Sequence, residues 1–267
     1  MTRLAMAVVC WLVLTLWGWM ELRFSPLTPL SNGLAVAIVY AVAMASRTSG
    51  WALFRLLFLL YAGINVFNIQ IENLLFAVTR PGEIARTTMT GLLAGSGVSA
   101  GLAWASTRDA PGQPPHSDAM PIRRVWWKLP VLGLFYIVLF MIAGSLAAPY
   151  FREFYAANKV IVVPSFGAIV AIEFTRGVVH VLSLMPFLRR MNGRRMQAAL
   201  LAGLALSILG GISSLLLPID ALPPEIRRVH IAEIFGSNFL FGIMAAWLLV
   251  PRTVAGFHPL TSAPEIS

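Results

Sequence analysis

About eight apolar stretches distributed along 267 residues predict an all-α, polytopic integral membrane helix bundle of about eight transmembrane helices. Composition agrees. Apolar residues make up 58% of the chain and mean hydropathy is +0.78, while only 12% of residues are charged, about half of what coats a water-soluble domain. A disordered chain is excluded as well, because such chains are polar and highly charged. The apolar residues also gather into runs near the ~20-residue length that crosses hydrocarbon, where a helix satisfies its own backbone.

The predicted spans are 4–21, 32–46, 52–78, 88–106, 129–148, 160–187, 197–217 and 229–250. The first follows a short charged start, as a signal peptide would. Its apolar run Leu4–Met20 is longer than a signal core of about 7–15 residues, and Glu21-Leu22-Arg23-Phe24-Ser25-Pro26 follows in place of a small-x-small cleavage site, so a retained span is expected. The second is short, with Asn32 and Gly33 at its start. The third and sixth are overlong, which predicts tilt, a kink or an extension beyond the membrane, and Pro164-Ser165-Phe166-Gly167 supplies a break early in the sixth. The fourth carries Gly91, Gly95, Ser99 and Ala103 at four-residue spacing, and the seventh carries Ala199, Gly203, Ser207 and Gly211. In lipid such rows of small side chains let helix backbones approach closely, within the chain or in a homodimer.

Proline, glycine and short polar residues between Ser106 and Lys128 predict a flexible linker. The chain therefore reads as one integral membrane unit. It has a front four-helix set (1–106), a cytoplasmic linker (107–128), a back four-helix set (129–250) and a cytoplasmic tail (251–267).

The net charge of +9 does not imply nucleic acid, because the basic residues flank apolar runs and form no stripe interleaved with aromatics. Counted over alternate loops, Lys and Arg fall twelve on one side and seven on the other, which places both termini in the cytoplasm of a bacterial-type inner membrane. The Arg-rich turn at 189–195 anchors that side most strongly. The single cysteine, Cys10, lies in an apolar run and reads as a packing residue.

The candidate functional residues are the polar ones sunk in the spans, since a charge at a helix centre costs roughly 2.5–3.5 kcal/mol to insert. Glu173, Arg176 and His180 share one face of the sixth span by offsets of three and four residues, as a self-compensating ion pair or an anion- or proton-handling group. Asn65, Asn68 and Glu72 share a face of the third span by the same rule, as a hydrogen-bond network or a substrate site. His230 and Glu233 turn the same way at the start of the eighth span, followed by Asn238, as interfacial polar residues or part of a metal or proton site. Glu72, Glu173, His230 and Glu233 all fall in the outer half of the membrane, so adjacency of the third, sixth and eighth helices would make one polar pocket.

Enzyme signatures are sparse. There is no His-Glu-x-x-His, no Walker-type loop and no paired glutamate before Arg176, and a serine nucleophile elbow is not expected. His230 and Glu233 are two metal-competent side chains where a stable site needs three or four, and haem between His180 and His230 would require equal depth. Three functions fit the sequence: a small-solute or proton-linked transporter, a non-catalytic subunit or sensor with a membrane partner, and an intramembrane metal, haem or enzyme protein.

Overall fold

The structure, a computed structural model, describes residues 2–21, 25–75, 81–106, 125–157, 164–191, 195–218 and 222–250. Eight rods make up these residues. They are α1 (Arg3–Glu21), α2 (Thr28–Ala45), α3 (Gly50–Tyr61 continued by a π-helical turn over Ala62–Phe67 and by Asn68–Leu75), α4 (Pro81–Ser106), α5 (Lys128–Ala157), α6 (Phe166–Leu188), α7 (Arg195–Ser207, a π-helical turn over Ile208–Ile212, then Ser213–Leu215) and α8 (Pro224–Leu249). Seven of them are long and apolar enough to cross a membrane. The exception is α4, whose first turns carry Glu83, Arg86, Thr87 and Thr88, although its 26 residues span about 39 Å at 1.5 Å per residue. The chain is thus a multi-pass helical membrane protein. The linker at 107–124, the tail at 251–267 and the centre of the Arg-rich turn at 192–194 lie outside the described residues.

Helix boundaries differ from the sequence expectation where polar residues found partners. The second span opens at Thr28, with Pro29 in its first turn, where the missing N–H is harmless. Asn32 stays helical because its amide donates to Leu14 O of α1 at 3.0 Å. The break expected at Pro164-Ser165 is a true start, since Ser165 Oγ caps α6 by accepting from Ala168 N at 3.3 Å. The fifth span runs on through Pro149 to Ala157.

Packing interleaves the two halves of the chain. α8 lies along α7 and α5, α5 along α6, and α4 along α3 and α1, while α3 also packs on α6 and α2 on α7. Val39, Leu57, Leu60, Leu184, Leu206 and Phe241 fill the shared interior. The small-residue rows serve these contacts. Gly91 and Gly95 admit Val66 and Tyr61 of α3, and Gly203 admits Phe239 of α8. At the crossing itself, Gly242 of α8 lies so close that a Cβ would stand 2.5 Å from Gly203 N. At one end, Arg47 N donates to Arg190 O at 2.9 Å and ties the α2–α3 connection to the end of α6.

Candidate functional site

Two π-helical turns face each other at the centre of the bundle, one in α3 and one in α7. A π turn inserts a residue and breaks the regular i→i−4 ladder, and in hydrocarbon every carbonyl so released needs a donor. Neighbouring side chains supply them. Asn65 Nδ2 donates to Leu209 O at 3.0 Å, Asn238 Nδ2 to Leu206 O at 3.3 Å, and Ser31 Oγ to Ser213 O at 2.6 Å. Glycine makes the approach feasible, because Gly210 lies against Asn238 and Gly63 lies against Ser183 of α6.

The π turn in α3 also redirects its polar residues. A regular helix would keep Asn65, Asn68 and Glu72 on one face. The wider turn rotates Asn65 toward α7, where it also reaches Ser213 Oγ at 3.4 Å, while Asn68 and Glu72 face α6. The shared face expected from the sequence is therefore split, and the inserted residue is the reason.

On the α6 side, Arg176 gathers four partners' worth of contacts from three side chains. Its Nη1 stands 2.9 Å from both oxygens of Glu173, its Nη2 is 2.7 Å from Glu72 Oε1, and its Nε donates to Asn68 Oδ1 at 2.9 Å. Glu173 and Arg176 are 0% and 2% exposed, whereas Glu72 is 22% exposed and forms the open edge. The guanidinium also lies 5.7 Å from the centroid of the Tyr136 ring. Two carboxylates thus share one guanidinium inside the spans.

Tyr136 of α5 joins this group to α8. Its hydroxyl donates to Asn238 Oδ1 at 3.1 Å, and its ring meets His180 edge-on at 5.2 Å and Phe241 at 4.8 Å. His180 is fully buried, one turn from Arg176, and neither ring nitrogen has a hydrogen-bond partner. Tyr136 was not a sequence candidate. Its only signal there is a single phenol within the uninterrupted apolar run around it.

His230 and Glu233 form their own pair, Nδ1 to Oε2 at 2.8 Å, with the imidazole edge-on to Phe151 at 5.8 Å. They lie within electrostatic range of Arg176 and Glu72 without touching them. Among the described residues no three His, Cys, Asp or Glu side chains are close enough to hold a metal ion together. The histidines sit in different surroundings, His180 between Tyr136 and Phe241 and His230 against Phe151.

The sequence does contain one string that the expectation of no serine elbow overlooked, Gly97-Val98-Ser99-Ala100-Gly101. It lies inside the continuous helix α4 with Ser99 fully buried. A nucleophile elbow needs a sharp strand-to-helix turn that exposes the hydroxyl, so the string is part of the small-residue row.

A cavity of about 290 Å³ opens on the other side of α3, lined by α1, α2, α3, α4 and the end of α7. Asn65 lines it, but Asn68, Glu72, Glu173, Arg176, His230 and Glu233 do not. The polar residues of the spans therefore form a charged cluster and a separate pair beside a cavity whose only charged lining residue is Arg86, with α3 between. No protein family, curated protein or solved structure matches this chain.

Proposed function

We propose that the protein is a proton-linked small-solute transporter of a bacterial-type inner membrane. In this reading the Glu72–Arg176–Glu173 cluster carries the exchangeable charge, and both termini lie in the cytoplasm, as the bias of Lys and Arg supports. One observation carries the proposal: a single buried guanidinium serves two carboxylates. A structural clamp between α3 and α6 needs one carboxylate to neutralise Arg176. The second leaves an unbalanced negative charge in a medium where unpaired charge is expensive, and uptake of one proton restores neutrality. Glu72 is the exposed member of the cluster, and Arg176 is the fixed positive charge. Asn65 lies within the π turn of α3 and Asn68 directly follows it, so a change of charge in the cluster acts on the same helix that walls the cavity.

A second reading, a non-catalytic component held together by its polar residues, draws on the complete satisfaction and burial of Glu173 and Arg176. Proteoliposomes with a trapped pH dye and an imposed pH gradient separate the two when challenged with a panel of small solutes. Transport predicts that a solute collapses the gradient with wild-type protein and not with folded Glu72→Gln. A gradient held against every solute, with Glu72→Gln as stable as wild type, favours the structural component.

A further inference from the structure

The cavity between α1, α2, α3 and α4 has a polar closed end and an open end of different character. Its buried lining residues Thr28, Ser31 and Ser213, with the half-buried Asn65, define the closed end, and the exposed Arg86 and Thr87 define the mouth. Its volume of about 290 Å³ is at the lower edge of small-molecule pockets, which run about 300–1,000 Å³. Leu14, Trp17 and Val66 give it apolar sides.

Most polar groups at the closed end are already engaged. Ser31 donates to Ser213 O, and Asn65 donates to Leu209 O and to Ser213 Oγ. Thr28 is the exception. It is 1% exposed and its Oγ1 has no hydrogen-bond partner. It opens α2, so no earlier turn of its own helix offers the carbonyl to which Thr88, Ser46 and Ser106 bond. A buried hydroxyl without a partner is destabilising, and a ligand that supplies one relieves that. No carboxylate lines the cavity, and its one charged lining residue, Arg86, is at the mouth. A charged ligand group at the closed end would be desolvated with no counter-charge.

We propose that this cavity binds a small uncharged amphiphile, whose hydroxyl or amide head group hydrogen-bonds Thr28 Oγ1 and whose apolar body lies along Leu14, Trp17 and Val66. The step from binding to carriage rests on the transport reading above. Binding itself does not, and it is measured without flux, so the two fail separately.

The test uses the full-length protein in phosphatidylcholine nanodiscs and reads quenching of Trp17 fluorescence by brominated probes. Bromohexanol and bromohexanamide should give a saturable component that disappears in Trp17→Phe, while bromohexanoate and bromohexylammonium should give none. Thr28→Val keeps the side-chain shape and should weaken bromohexanol binding roughly fivefold with thermal stability retained. Ala94→Leu fills the cavity from the α4 side and should abolish the saturable component even where Thr28→Val fails to fold. Quenching that only rises linearly with bromohexanol, equal saturation by bromohexanoate, or wild-type affinity in folded Thr28→Val would overturn the proposal. A neutral lipid released from the purified protein by saturating bromohexanol identifies the natural head group as a lipid's. Saturable binding without such release assigns it to a free solute.

Discussion

Glu72 of α3 reaches Arg176 of α6 at 2.7 Å from the exposed edge of a cluster whose other carboxylate, Glu173, approaches the same guanidinium at 2.9 Å from a fully buried position. The two acids differ in what their loss leaves behind. Arg176→Leu strands two carboxylates and the Asn68 carbonyl in the interior, and breaking a buried pair in this way costs about 3–5 kcal/mol. Glu72→Gln leaves one carboxylate per guanidinium and keeps a hydrogen-bond acceptor, so its effect should stay within about 1 kcal/mol. Denaturation in micelles followed by circular dichroism should rank Arg176→Leu far below Glu72→Gln. Equal losses would mean that Glu72 is as much a structural partner as Glu173.

The π turn of α3 depends on Gly63. A Cβ there would overlap Ser183 Oγ and stand 2.9 Å from Ser183 Cβ. Ser183 cannot simply swing aside without giving up its bond to Val179 O at 2.8 Å. Gly63→Ala should therefore destabilise by about 1–3 kcal/mol, as overpacking does. Ser183→Ala should be mild, and the double variant should recover part of the loss, because the hydroxyl overlap disappears while the Cβ contact stays tight. A double-mutant cycle measures that coupling. Strict additivity would place the strain elsewhere.

How far the sequence reveals this molecule follows from which physical rules are local. Span number and approximate limits are legible because apolar run length is a one-dimensional property, and the Glu173–Arg176 pair is legible because both residues sit on one helix at a fixed offset. The splitting of Asn65 from Asn68 and Glu72 is not, since regular helical spacing assumes 3.6 residues per turn throughout and nothing local around Ala62–Phe67 marks a π turn. Its surroundings lie on other helices, with Gly63 packed against Ser183 of α6 and Asn65 bonded to Leu209 O of α7. Tyr136 is hidden for the same reason, as its partners Asn238, His180 and Arg176 lie on other helices. The His230–Glu233 pair is legible as a pair, but its distance from the Arg176 cluster depends on how α5 and α8 pack.

The α7–α8 crossing should be the least tolerant helix contact to side-chain addition. A Cβ on Gly242 would meet backbone on the facing helix, Gly203 N at 2.5 Å and Ala202 C at 2.6 Å, and backbone cannot rotate away. Gly242→Ala should push the helices apart and cost at least about 1–3 kcal/mol. Gly236, six residues earlier on α8, has open space around it, so Gly236→Ala should gain up to about 1 kcal/mol from helix propensity alone. Thermal unfolding of the two variants in the same detergent checks the contrast. Similar shifts for both would show that the close approach is not what holds α7 to α8.

Two basic residues from other helices end α8. Lys128 Nζ at the start of α5 donates to Leu248 O at 2.6 Å. The Arg195 guanidinium at the start of α7 donates to Trp247 O and lies 4.8 Å from the Trp247 ring centroid. The last carbonyls of a helix have no partner within it and carry the negative end of its dipole, so cationic donors are well placed there. Both contacts lie on the Arg-rich face, where long basic side chains reach the interface. Lys128→Met together with Arg195→Met should fray the last turn of α8 and raise amide exchange at Leu248, Leu249 and Val250 by roughly tenfold, equivalent to about 1.4 kcal/mol. Exchange near Glu233 should stay unchanged, because that end of α8 is held to α7 by Ile234 packed on Gly211 and by Asn238 bonded to Leu206 O. Lys128→Arg should protect better than Lys128→Met, since it keeps a donor. If exchange rises equally along the whole of α8, the two cations hold the helix in the bundle and do more than cap its end.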